Sequence, residues 1–96
     1  MDILVTYDIA DTDGDGAKRL RSIAAVCEGF GIRSQFSVFE CRVSPTSLAK
    51  LIGRIEDSID PQRDSVHIYQ LGNSFAASRQ TIGLTKSHTI GEPWIV

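Results

Sequence analysis

A chain of 96 residues with 42% hydrophobic and 23% charged side chains is one globular domain, which excludes a disordered polymer, a fibrous repeat and a multidomain enzyme. A net charge of −2 supplies no global field for nucleic acid, so any phosphate contact requires a local basic cluster. The opening MDILVTYDIA has no basic segment before its apolar run and is too short to span a bilayer, so no membrane role is expected and the predicted location is cytoplasmic.

Ile3, Val5 and Tyr7 alternate with Leu4 and Thr6, which predicts a strand buried on at least one face, with Asp8 at its carboxyl end. The Asp/Gly run from Asp11 to Gly16 reads as a loop in which an acid or Gly16 caps the next helix. From Ala17 to about Glu28, Leu20, Ile23, Ala24 and Cys27 share one helical face, with Lys18, Arg21 and Ser22 opposite. Gly29 and Gly31 predict the left-handed C-cap and the turn that stop this helix.

The run RSQFSVFECRV, residues 33–43, is rich in β formers but changes phase near Val38 and Phe39, which predicts a bulge or two short strands. Ser44-Pro45 opens a second helix along Leu48, Leu51, Ile52, Ile55 and Ile59, and Asp60-Pro61 ends it. SVHIYQL, residues 65–71, is another strand. Beyond Gly72 periodicity fades until an apolar end at Trp94, Ile95 and Val96, predicted as a short extended piece that docks on the body or on a second subunit. The order is βαββαβ with one added terminal strand: an α+β, ferredoxin-like sandwich over residues 1–71 and a C-terminal extension over 72–96. Its second sheet face must be hydrated or covered by a partner.

Asp11, Asp13, Asp15 and Gly16 match the opening of an EF-hand calcium loop. Counting from Asp11, however, the apolar eighth position is Lys18 and the bidentate twelfth is Ser22, and a strand precedes the loop where a helix is needed. The run therefore reads as a solvated capping loop. Asp8 is the more informative acid: across a two-fold axis one carboxylate becomes two, enough for a hydrated Mg²⁺. Lys18, Arg19 and Arg21 crowd the start of the first helix, where the helix dipole disfavours cations, so something must reward them there. A phosphate backbone would do so. Tyr7, Phe36 and Phe39 could stack bases, although core packing is the expectation for at least two of them. His67 and His88 are single and receive no role; Cys27 and Cys41 read as small buried hydrophobes.

YDI at 7–9, KRLR at 18–21 and above all GIRSQFSVFEC at 31–41 resemble the small CRISPR-associated (Cas) family two protein, over about the first 71 residues. The resemblance implies a ferredoxin-like homodimer whose terminal strand crosses to the partner. It implies that Asp8 lies at the dimer cleft as a catalytic residue and ligand of Mg²⁺ or Mn²⁺. It implies a metal-dependent endonuclease of single-stranded RNA or double-stranded DNA that also partners the CRISPR integrase in spacer acquisition. By position, Tyr7, Arg19, Arg21, Arg33 and Phe39 fall where the family carries substrate-linked residues, and Trp94, Ile95 and Val96 where it engages a partner. The DTDGDG loop departs from the family pattern. The expected function is an adaptor for the CRISPR integrase with a phosphodiesterase site; the alternatives are a non-catalytic scaffold and a calcium-binding regulatory module.

Overall fold

The computed structural model describes residues 1–71 and 79–83. Alternation in β1 (Asp2–Asp8) turns Ile3, Val5 and Tyr7 inward, at 1%, 0% and 5% exposure. The chain continues through α1 (Gly16–Glu28), β2 (Gly31–Gln35), β3 (Val38–Arg42), α2 (Pro45–Ser58), β4 (Ser65–Leu71) and β5 (Arg79–Gly83). The strands form one antiparallel sheet in the order β2-β3-β1-β4-β5. Two interleaved βαβ units with β1 at the centre make this the expected ferredoxin-like α+β sandwich, with an added strand beside β4.

The core lies between the helices and one face of the sheet. Ile23 and Cys27 from α1, Leu51 and Ile55 from α2, and Phe39 from β3 are fully buried against Val5 and Val66, each large side chain contributing about 1.5–3 kcal/mol. The two cysteines are free and buried, and burial pushes the Cys27 thiol up to about 12. Ser44 caps α2 by accepting the Ser47 N–H at 3.1 Å, with Pro45 in the first turn.

The phase change in residues 33–43 resolves as two strands: Gln35 ends β2, Val38 begins β3, and the register slips between Arg33 and Gln35. Gly29 differs from expectation. Its φ of −71° is right-handed, and α1 ends by tightening, with Gly29 N–H donating to Val26 O and Phe30 N–H to Cys27 O. A strand that the sequence did not suggest lies at Arg79–Gly83, where it pairs with β4 of its own chain. Trp94, Ile95 and Val96 lie outside the described residues. Among the described residues no helix is long and apolar enough to cross a membrane.

Candidate functional site

The pleat decides which predicted site residues meet. Tyr7 and Asp8 are consecutive in β1 and so point to opposite faces. Tyr7 joins the covered face. There its ring stacks with Phe39 at a centroid distance of 6.2 Å, and the Arg33 guanidinium lies 5.1 Å over Phe39. Asp8 is exposed on the open face, opposite Ser65 in β4.

Within one chain, therefore, Asp8 and the Tyr7–Arg33–Phe39 group do not form one site. Phe39 is 0% exposed and Tyr7 5%, so within this chain neither ring offers a face for a base: core packing, expected for at least two of the three aromatics, takes both, and the substrate-linked place that the resemblance gives them is not a stacking surface here. The Tyr7 hydroxyl is buried without a hydrogen-bond partner of good geometry. Burial pushes its pKa up, against an opposing pull from the nearby Arg33 guanidinium. Arg33 remains partly exposed, and its ion pair among the described residues is a long 3.8 Å contact to Glu28, while Arg21 is exposed on α1 and has no ion pair among the described residues.

Arg19 has a different role from the one its position led us to expect. Its Nε donates to Asp64 Oδ2 at 2.7 Å and its Nη2 to Asp64 Oδ1 at 3.3 Å, across 45 residues of sequence. Its Nη2 also donates to Ala10 O at 3.1 Å, while Asp64 Oδ1 accepts the Ala10 N–H at 2.9 Å. The cation at the helix start is thus rewarded by a buried aspartate in place of a phosphate. With the Asp60 N–H at 2.8 Å, the Asp64 carboxylate accepts four hydrogen bonds at 0% exposure. Burial alone would raise its pKa; the Arg19 hydrogen bond, the Asp60 and Ala10 amides and the Arg19 charge outweigh that and hold it below the usual carboxylate range.

The DTDGDG loop is drawn to arginine as well. Arg63 donates from both Nη atoms to the Asp15 carboxylate at 2.8 and 2.9 Å, and approaches Asp11 and Asp60 at 3.9 and 4.0 Å. This pairing holds the Asp15 carboxyl well below the usual range. Asp15 occupies the N-cap position of α1 but makes no side-chain cap bond. Gly16, which opens the helix, packs so closely that a Cβ there would strike the carbonyl oxygens of Ala10 and Asp11. Among the described residues no group of three possible ligands could hold a metal ion, so the calcium reading gains no support from the loop.

Sequence reasoning missed Asp64 and Arg63, because an Asp or Arg in a polar turn gives no local sign of a distant partner. It also left His67 without a role. The register sets His67 opposite Thr6, on the open face with Asp8, and its Nδ1 lies 3.0 Å from Thr81 Oγ1.

A family model for CRISPR associated protein Cas2 matches residues 1–77. A protein of Halalkalibacterium halodurans named CRISPR-associated endonuclease Cas2 is 40% identical over 97% of this chain and 97% of its own. One of Chlorobaculum tepidum named CRISPR-associated endoribonuclease Cas2 is 44% identical over 76% of each chain. The crystal structure of Streptococcus pyogenes Cas2 at pH 6.5 superposes with a TM-score of 0.71 at 43% identity, over 75% of this chain and 87% of the other. On the family match, the full-length relatives and the shared fold, this chain belongs to the CRISPR-associated Cas2 family.

Proposed function

We propose that this protein is a metal-dependent endonuclease acting on RNA or double-stranded DNA, working as a homodimer whose two open sheet faces meet and bring two Asp8 carboxylates together. The observation that carries the reading is the placement of Asp8: an exposed carboxylate at the end of the central strand, on the face opposite the one that α1 and α2 cover. Among the described residues one protomer brings no group of three possible ligands together; two Asp8 groups with water fit Mg²⁺ or Mn²⁺, which tolerate one or two carboxylates. A divalent ion so held would supply Lewis-acid charge for phosphodiester cleavage. Arg33 and Arg21, exposed on the helical side, hold and orient the nucleic-acid backbone, with Tyr7 and Phe39 stiffening Arg33 from beneath.

The same protein would bridge the CRISPR integrase and DNA during spacer acquisition, with residues 94–96 as the partner-binding segment. A purely scaffolding role is the second reading, favoured by the separation of Asp8 from the Arg33–Phe39–Tyr7 group on opposite faces of one sheet.

The test is cleavage of labelled single-stranded RNA and double-stranded DNA with Mg²⁺, Mn²⁺, Ca²⁺ or EDTA, by wild type and Asp8→Ala purified in parallel. Mg²⁺- or Mn²⁺-dependent cutting that vanishes in Asp8→Ala supports the nuclease. Equal traces in both proteins, or no cutting in either, would remove the nuclease and leave the scaffold.

A further inference from the structure

We propose that Asp64, with Arg19, is a positioning residue for Asp8: the pair clasps the backbone of Ala10 and thereby fixes where β1 ends and where its last carboxylate points. This rests on the reading of Asp8 as the metal ligand.

The geometry is specific. Asp64 accepts the Ala10 N–H at 2.9 Å, while Arg19 donates to the carbonyl of the same residue at 3.1 Å. Both backbone groups of a residue two places beyond Asp8 are therefore held by one ion pair, whose own Nε to Oδ2 contact is 2.7 Å. Asp64 is also joined in the chain to Ser65, the register partner of Asp8 on β4. The two strand ends that flank the Asp8 position are thus anchored at one point, from β1 through Ala10 and from β4 through the chain itself.

A third strand closes on that anchor. Gly83 pairs with Ser65 at a φ of 90°, and a Cβ there would crowd Asp64 O at 2.5 Å. Only glycine fits such a backbone without strain. A side chain that did no more than cap the α2–β4 turn would need the Asp60 N–H alone. The three further bonds, to Ala10 and Arg19, reach away from that turn toward the strand that carries Asp8. Partners that hold a ligand in place without touching the metal characteristically change metal affinity when altered.

The experiment compares wild type, Asp64→Asn, the core variant Leu51→Ala and Asp8→Asn, all full-length, by Mn²⁺ titration and by amide hydrogen exchange. Leu51 is 0% exposed on α2, so its truncation loosens the fold without touching the anchor. Asn keeps the size of Asp64 but removes its charge and one acceptor. The expected result is Mn²⁺ binding weakened about tenfold or more in Asp64→Asn, with wild-type affinity in Leu51→Ala. Equal affinities in those two variants would overturn the proposal and leave Asp64 purely structural.

If wild type binds Mn²⁺ no better than Asp8→Asn, the metal-ligand reading fails and exchange decides the positioning role. Loss of protection confined to the amides of residues 8–10 in Asp64→Asn upholds it, and loss spread evenly over the sheet overturns it. Should Asp64→Asn not fold, Arg19→Lys, which keeps the charge but cannot hold Asp64 and Ala10 together, is read by the same criteria.

Discussion

Tyr7 and Asp8 are adjacent in sequence, yet one belongs to the covered face of the sheet and the other to the open face. The covered face is dense: Val5, Phe39, Val66, Leu51 and Ile55 are all 0% exposed. The open face carries Leu4, Thr6, Asp8, Val38, His67 and Tyr69, half-buried or exposed. A family motif that runs through a strand therefore contains two kinds of residue, those that build the fold and those left to face a partner or ligand. Only the pleat separates them.

The sharpest way to break that distinction is to truncate one residue on each face. Phe39→Ala removes a fully buried ring that touches Tyr7 and Arg33, and should cost about 3–5 kcal/mol. Asp8→Ala should change stability by about 0.5 kcal/mol or less while abolishing metal-dependent cleavage. Urea unfolding monitored by circular dichroism measures both. A large loss of stability in Asp8→Ala would show that the two faces do not divide the work in this way.

Next in size is the anchor below the Asp8 end. Asp64→Ala leaves Arg19 and the Ala10 and Asp60 amides without their shared acceptor, at a cost of about 3 kcal/mol. The sign of the pH effect follows from the depressed pKa of Asp64. A carboxyl held below its unfolded value of about 3.9 contributes in full above that pH and loses the contribution as pH falls through the folded pKa. Wild-type stability should thus fall from about pH 4 downward, and Asp64→Asn should show a shallower fall there. Parallel acid limbs in the two proteins would remove Asp64 from the cause.

Tyr7→Phe is smaller and has the opposite sign. It deletes a buried hydroxyl without a well-formed partner, so thermal unfolding should show no loss or a gain of up to about 1 kcal/mol. If Tyr7→Phe instead costs stability, the hydroxyl has an effective partner, and Arg33 is the nearest candidate.

Much of the fold was legible because its signals are local. The alternation of Ile3, Val5 and Tyr7, the Ser44-Pro45 helix start and the phase change before Phe39 each report what a few neighbouring residues do. The strand RQTIG at Arg79–Gly83 was not legible, since it has one strong apolar residue, Ile82, and exists by pairing with β4. The candidate site was legible only as a set of residues. Asp8 could be singled out by its place at a strand end, but the partner of Arg19 lies 45 residues away. The helix dipole correctly demanded an anion near Arg19; nothing local distinguished a substrate phosphate from Asp64.

The smallest effect tests a second contrast, between two arginine–aspartate pairs that tie the same loops together. In the Arg19–Asp64 pair the side chains are 17% and 0% exposed; in the Arg63–Asp15 pair they are 40% and 61%. Both have short, well-formed hydrogen bonds, so geometry alone would rank them equal. Water decides otherwise: around Arg63 it screens the attraction and solvates either partner once the other is removed, whereas Asp64 has no such substitute. Arg63→Ala should therefore move the urea midpoint much less than Asp64→Ala, and added salt should shrink even that small effect while leaving the Asp64→Ala effect nearly unchanged. Arg63→Ala also takes the nearest cation from Asp11 and Asp15, leaving Asp15 a 3.6 Å contact to Arg19. If Ca²⁺ stabilises Arg63→Ala but not wild type, the DTDGDG loop is a metal-capable loop closed by an internal cation; if it stabilises neither, the loop is a connector whose acids serve only to hold Arg63.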